Sequence, residues 1–190
     1  GMVFGVISLF VALWGVKFFQ QIRGISLLEA TALTNCIFLG CAVGCPILGF
    51  LDTHTRHRRT IMWLLPLLGA CIICFILINP TIPKVDLIML LFIFGMTLST
   101  YMINFVITNE IANSYNQGTH MGFINMISVG SAPLLQPLIG FFLDLQKKSF
   151  STASNAFTLA QYQKALWIIP LMLIIACIIG RKLPQGSNKT

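Results

Sequence analysis

Six long apolar runs follow one another along the chain, separated by short polar connections. The runs cover residues about 2–19, 27–51, 60–79, 86–108, 118–143 and 161–180. An α-helix rises 1.5 Å per residue, so each run is long enough to cross about 30 Å of hydrocarbon. None alternates as a barrel strand does, and only helices and closed barrels satisfy the backbone in lipid. The pattern predicts an all-α, polytopic membrane protein: one bundle of six transmembrane helices over residues 1–190, with a polar tail at 181–190.

Composition supports a membrane protein and argues against a soluble one. Of 190 residues, 56% are hydrophobic and 9% are charged, and the mean hydropathy is +0.86. A soluble domain carries about 25% charged residues. The net charge of +7 is spread over many short stretches, so we predict the lipid bilayer as a partner and no nucleic acid.

Cysteine and histidine give no sign of a metal, a cofactor or an enzyme. All six cysteines lie inside apolar runs: Cys36, Cys41, Cys45, Cys71, Cys74 and Cys177. The Cys71-x-x-Cys74 spacing has no second pair and no histidine near it, so we predict buried thiols that pack as hydrophobic groups. The three histidines fall in polar connections, and no nucleophile–base pair lies at membrane depth.

Positive charge predicts the orientation. With six spans, both termini lie on one side. The basic residues on that side are Arg56, Arg58, Arg59, Arg181, Lys182 and Lys189, and those on the other are Arg23, Lys84, Lys147, Lys148 and Lys164. The totals are close, but the dense block at 56–59 favours cytoplasmic termini in a cell (inner or plasma) membrane. Because the first run begins at Gly1 without a preceding polar stretch, we also expect the chain to be the remainder of a longer one.

Two helix ends, half a chain apart, share a motif. The second run ends with Pro46-Ile-Leu-Gly-Phe-Leu-Asp52, and the fifth ends with Pro137-Leu-Ile-Gly-Phe-Phe-Leu-Asp144. Three spans separate the copies, so they cross the membrane in opposite directions. This predicts an inverted three-plus-three repeat, an arrangement that secondary transporters use. Chance similarity between helix ends rich in glycine and proline is the alternative.

Polar side chains concentrate in the second, fourth and fifth runs, whereas the third and sixth have almost none and are predicted to face lipid. In the fourth run one helical face carries Thr97, Thr100, Tyr101, Asn104 and Thr108. Polar groups inside a membrane are costly unless they face a partner or a wet cavity. For serine and threonine, hydrogen bonding between helices is an equal alternative. The candidate solute-binding residues are Tyr101, Asn104, Gln136, Asn125, Asn35 and Trp14.

Two local motifs predict contacts. Small residues at Gly40–Gly44 and Gly118–Gly122 would let helix backbones approach closely. Ser26 and Glu29 form a capping box at the start of the second run, with the Glu29 side chain expected to reach back to the first amide.

Several of these stretches resemble the second half of bacterial major facilitator superfamily transporters. Leu13–Gln21 and Gly24–Ala30 look like the region of the seventh and eighth helices. Gly49–Asp52 followed by Arg56–Arg59 is similar to the basic loop between the eighth and ninth helices. Gly118–Met126 with Gln136–Gly140 looks like the eleventh helix. The resemblance covers nearly the whole chain.

The resemblance implies alternating access by a rocker-switch motion, with a solute site between two halves near the membrane midplane. It also implies a charge-pair latch in the loop formed by Asp52, Arg56, Arg58 and Arg59. The loop departs from the family pattern, since Asp52 follows the glycine by three positions instead of four and Arg56 stands near the place of a glycine.

We therefore expect the second half of a secondary carrier for a small polar organic solute. Its partners would be the solute, the bilayer and either an N-terminal six-helix half or a second copy. The alternative is an autonomous six-helix protein that acts as a homodimeric carrier or as a scaffold without transport. All five acidic residues lie near helix ends, so no proton-coupling carboxylate is predicted at the cavity.

Overall fold

Every regular element that the structure describes is a helix. The computed structural model describes residues 1–55, 57–113, 115–149 and 159–182. In chain order the elements are α1 (Met2–Val6), a π-helical segment (Ile7–Trp14), α2 (Gly15–Arg23), α3 (Leu27–His54), α4 (Arg58–Ile78), α5 (Lys84–Leu98), α6 (Tyr101–Ile111), α7 (Gln117–Ser149), α8 (Leu159–Leu166) and α9 (Ile168–Arg181). The predicted all-helical class is confirmed.

Within the described residues, four segments are long and apolar enough to cross a membrane. They are Leu27–His54, Arg58–Ile78, Lys84–Ile111 and Gln163–Arg181. A fifth is reached if Met2–Val11 and Gly15–Arg23, which are bent by 41° relative to each other, form one broken span. The predicted fifth run lies in α7, some of whose side chains fall outside the described part. The molecule is a multi-pass helical membrane protein, and the count of six spans with its repeat stays a prediction.

Close packing of α3 against α5 forms the tightest helix crossing. A Cβ atom on Gly40 would overlap the carbonyl oxygen of Phe92, and one on Gly95 would overlap that of Ile37. The buried Cys41 thiol donates to the Gly95 carbonyl at 3.1 Å across this contact. Glycine is required here because the two backbones touch. The prediction for Gly40–Gly44 is confirmed, whereas Gly118 and Gly122 meet open space within the described chain, so the prediction of close backbone approach is wrong there.

The third and sixth predicted spans pack on each other and expose apolar side chains. Gly180 of α9 lies against the backbone of Met62 in α4, so the two helices approach closely. Their outer faces expose Leu64, Leu68, Phe75, Leu171, Ile174 and Ile178. Exposed aliphatic side chains of this kind suit contact with lipid tails, as the sequence predicts for these two spans.

Two smaller predictions concern the start of α3 and the cysteines. The Ser26 hydroxyl caps α3 by accepting from the Glu29 amide at 3.3 Å, as predicted. The Glu29 carboxylate reaches back to the Ser26 backbone N–H, as a capping box requires, and it also accepts from the Ser26 hydroxyl at 3.5 Å and from Lys84 Nζ at 3.1 Å. Burial holds for two of the six free thiols, Cys41 and Cys177, whereas Cys71 is exposed. A thiol is apolar enough to face lipid, so an apolar run does not guarantee burial.

Candidate functional site

At one end of the bundle, the guanidinium of Arg58 holds two carboxylates. Its Nε and Nη2 atoms donate to Asp52 Oδ1 and Oδ2, both at 2.6 Å. Its Nη1 and Nη2 atoms donate to Glu110 Oε2 at 2.6 Å and Oε1 at 2.8 Å. The Asp52 side chain is 3% exposed, that of Arg58 is 13% and that of Glu110 is 49%. These forked contacts join the end of α3, the start of α4 and the end of α6, and we call them the Arg58 clamp.

Each charge in the Arg58 clamp stands at the unfavourable end of its own helix. Asp52 lies in the last turns of α3 and Glu110 in the last turn of α6, where the helix dipole disfavours anions. Arg58 is the first residue of α4, where the dipole disfavours cations. No helix is therefore stabilised by its own charge, and Arg58 compensates both carboxylates across helices.

Sequence reasoning identified part of the Arg58 clamp. The predicted loop residues Asp52 and Arg58 pair, Arg59 is exposed, and Arg56 lies outside the described residues. Glu110 was missed as a site residue, because it reads as a helix end. The predicted topology could have identified Glu110, because the second and fourth runs end on the same face of the membrane.

The span Lys84–Ile111 breaks near its middle, between α5 and α6. The amides of Ser99 and Thr100 bond three residues back, to the carbonyls of Met96 and Thr97 at 3.3 and 3.5 Å. The Thr97 and Thr100 hydroxyls also donate to carbonyls three residues back, each at 2.7 Å, and such bonds compete with regular helix geometry. The regular α-helical bonding pattern is thereby interrupted over this turn.

The first span is irregular near its middle as well. Its π-helical segment lies between α1 and α2, and π-helical turns are rare and concentrate at functional sites. Gln136 Nε2 of α7 donates to the Ser8 carbonyl in this segment at 3.3 Å. The irregular backbone and a predicted site residue are thus in direct contact.

Most intramembrane hydroxyls donate to their own helix. This holds for Thr31, Thr34, Thr97, Thr100, Thr108 and Ser131, at 2.6–3.0 Å. Ser99 also bonds to another helix, donating to the Cys41 carbonyl at 3.2 Å. The predicted alternatives for these groups were a wet cavity or bonds between helices, and neither accounts for the six that bond within their own helix.

Three of the predicted solute-binding residues lie on α6 and α7. The half-buried Tyr101 ring packs edge-on against Phe4, with the ring centroids 5.4 Å apart. Asn104 lines a cavity of about 190 Å³ together with Thr100 and residues of α1, α4 and α9. Gln136 is tied to the first span by its bond to Ser8.

The other three lie on α3, in the π-helical segment and in the first half of α7. Asn35 is exposed and lines a groove of about 570 Å³ between the first span and α3. Trp14 is buried, and its indole N–H has no partner in the described part of the chain. Asn125 is exposed on α7. Asn35 and Asn104 line different cavities, so the structure does not bring all six residues together, and their role in binding stays a prediction.

One protein family matches this multi-pass helical bundle with its irregular spans and its Arg58 clamp. The family model of the Major Facilitator Superfamily matches residues 1–137. The chain belongs to the Major Facilitator Superfamily. It is a multi-pass membrane protein of a transporter family, whose members are generally not enzymes. No curated protein matches the chain.

The match covers most of the features described above. It spans the first run, the Arg58 clamp, the broken fourth run and α7 as far as Pro137. Among the described residues, no group of three His, Cys, Asp or Glu side chains lies close enough to hold a metal ion. The described site offers charge pairing by Arg58 and hydrogen bonding by groups such as Gln136.

Proposed function

We propose that this chain is a six-helix half of a secondary carrier that moves a small polar organic solute by alternating access. The observation that carries the proposal is the pair of irregular spans, the first and the fourth. In an inverted three-plus-three repeat these two spans are equivalent, and transporters of this kind build their midplane sites from discontinuous helices. The 33 residues of α7 would measure about 50 Å, enough for the span that completes a count of six.

The solute site would lie beside the two irregular spans. Tyr101 and Asn104 follow the break in the fourth span, and Gln136 contacts the π-helical segment of the first. Hydroxyl and amide groups supply donors and acceptors together, as a polar solute leaving water requires. Asn35, Trp14 and Asn125 would extend the site toward the other half.

The Arg58 clamp would act as the gate at the cytoplasmic face, which is also where we place both termini. Because Asp52 is buried and paired with Arg58, separating the two charges is costly, and a solute-driven motion that rearranges them would switch between two defined states. Arg56 and Arg59 would contribute orientation by positive charge. The membrane would be the inner or plasma membrane.

The face of α7 supports a partner for this half. Gly118 and Gly122 meet open space, and Phe123 and Met126 are exposed beside them. A second set of six helices, from an N-terminal half or from another copy, would cover this face. An autonomous homodimeric carrier uses the same face. A scaffold without transport is the outcome to expect if no solute binds.

A stabilisation screen followed by transport tests this proposal. The purified chain in lipid nanodiscs is heated with a panel of polar organic solutes, and any solute that raises its midpoint is then used for counterflow in proteoliposomes. We expect saturable counterflow when two halves are present and none from chain shown to be monomeric. Saturable uptake by the monomeric chain refutes the half-carrier assignment, and an absence of stabilising solutes across the panel favours a scaffold.

A further inference from the structure

Lys17 lines the groove that contains Asn35, and it forms no ion pair within the described residues. The groove, of about 570 Å³, lies between α2 and α3 and also includes Gln20 and Thr31. Its volume is in the range of small-molecule sites. The first predicted run ends at about residue 19, but α2 continues for six residues beyond Lys17 to Arg23, or about 9 Å.

The ammonium of Lys17 turns toward the middle of the span. Lysines near a helix end usually extend toward the nearer water interface. Here Nζ lies 5.2 Å from the ring centroid of Trp14, one turn farther from the end at Arg23. Side chains on a helix lean toward its N-terminus, which favours this direction. The positive charge is thus held deeper than its own backbone, next to an indole N–H that has no partner among the described residues.

No carboxylate balances this charge in the described part of the chain. The ion pairs there are those of Arg58 with Asp52 and Glu110 and that of Lys84 with Glu29. A charge at membrane depth is costly unless it pairs or faces water, so an anion bound in the groove would stabilise the exposed Lys17.

Among the other polar groups of the groove, the side-chain amides are the available donors. The Thr31 and Thr34 hydroxyls already give their hydrogens to carbonyls of α3, at 2.8 and 3.0 Å. The amide groups of Gln20 and Asn35 offer further N–H donors. Asn35 lies eight residues, or about 12 Å, along α3 from Leu27, and so at a depth comparable with that of Lys17.

We propose that this groove binds the anionic group of the transported solute, a carboxylate or a phosphate, with Lys17 as its countercharge and the Asn35 amide as a second donor. The inference rests on the carrier function proposed above and narrows the solute class from polar to anionic. Hydrogen bonds to a charged group are roughly twice as strong as those between neutral groups, so Lys17 would dominate recognition.

Fluorescence of Trp14 offers a direct test on the chain itself. The chain has three tryptophans, and Trp63→Phe with Trp167→Phe leaves Trp14 as the sole reporter. In nanodiscs of neutral phosphatidylcholine, the protein is titrated with butyrate, butyramide, butylammonium and inorganic phosphate. We expect a saturable change with butyrate or phosphate, and none with butyramide or butylammonium. Equal responses to butyrate and butyramide overturn the proposal.

Matched variants assign the response to Lys17. Lys17→Met should weaken butyrate or phosphate binding by about ten- to a hundredfold, whereas Lys17→Arg should change it by less than about threefold. Lys84→Met is the control, because it removes another lysine that lies outside the groove. Asn35→Ala should weaken binding by about two- to tenfold and serves as an independent test if Lys17→Met fails to fold by circular dichroism. Unchanged binding in Lys17→Met or Asn35→Ala contradicts the assignment.

A lipid headgroup carries the same chemistry as a soluble phosphate. A second set of nanodiscs therefore contains phosphatidylglycerol. If Trp14 responds to phosphatidylglycerol in a Lys17-dependent way and no soluble anion produces a change, the groove is a lipid site and the solute assignment is wrong. Competition between soluble butyrate and phosphatidylglycerol supports a solute site.

The test separates this inference from the carrier function. Lys17-dependent anion binding without counterflow when two halves are present would leave the anion site standing and contradict the carrier. Saturable counterflow of a neutral solute that is unaffected by Lys17→Met would leave the carrier standing and contradict the anion site.

Discussion

Removing the guanidinium of Arg58 should destabilise the protein strongly, because it leaves a buried carboxylate without a partner. Asp52 is 3% exposed and receives two N–H bonds of 2.6 Å from Arg58. Breaking a buried pair by deleting one partner costs about 3–5 kcal/mol. Glu110 is 49% exposed, so its share should be about 1 kcal/mol or less. We expect Arg58→Met to lower the free energy of unfolding by about 3 kcal/mol or more.

A double-mutant cycle tests the reasoning. Asp52→Asn removes the stranded charge, so Arg58→Met combined with Asp52→Asn should be more stable than Arg58→Met alone by about 1–2 kcal/mol. Arg59→Met is the matched control: it removes the neighbouring, exposed arginine and should change stability by less than about 0.5 kcal/mol. Reversible unfolding in detergent micelles, followed by circular dichroism, measures all four variants. Simple additivity of Asp52→Asn and Arg58→Met, or equal losses from Arg58→Met and Arg59→Met, would refute the interpretation.

Three further predictions follow from other parts of the molecule. Single cysteines at Thr55 and Ser154, in a background without native cysteines, should label from opposite sides of the membrane; labelling from one side would contradict six spans. Gly40→Ala and Gly95→Ala should each cost several kcal/mol by backbone overlap, whereas Gly49→Ala, which meets open space, should be neutral or slightly stabilising in thermal unfolding. Asn104→Ala should weaken apparent solute affinity by about two- to tenfold at unchanged abundance; lower abundance with unchanged affinity would indicate that Asn104 only joins helices.

The helices were predicted well, because the length of an apolar run can be read from the local sequence. Any run of about 20 apolar residues must be helical in lipid, whatever it packs against. The same reasoning located Asp52 and Arg58, since a short basic loop between two apolar spans must lie at the membrane surface. The helix ends extend a few residues beyond the predicted runs because polar residues such as His54 continue a helix into the interface.

The irregular backbone was not predicted, because periodicity assumes an unbroken helix. On that assumption Thr97, Thr100 and Tyr101 share one face. The hydroxyls of Thr97 and Thr100 instead bond to nearby carbonyls and mark the break between α5 and α6. Gly118–Gly122 failed for a different reason: a small-residue spacing permits close approach but does not say which helix approaches. Partner choice depends on tertiary packing, which a single sequence does not encode locally.

The hydroxyl bonds also change how site residues are recognised in such a chain. A threonine within a span can satisfy itself on the preceding turn of its own helix, so its presence says little about a cavity. An amide or ammonium offers more donors than its own helix can use. Within the described residues, the side-chain amides of Asn35 and Asn104 have no hydrogen bond, and Lys17 has no carboxylate. Since leaving such groups unpaired in a membrane is costly, they are the positions where a solute or a second half has the most to contribute.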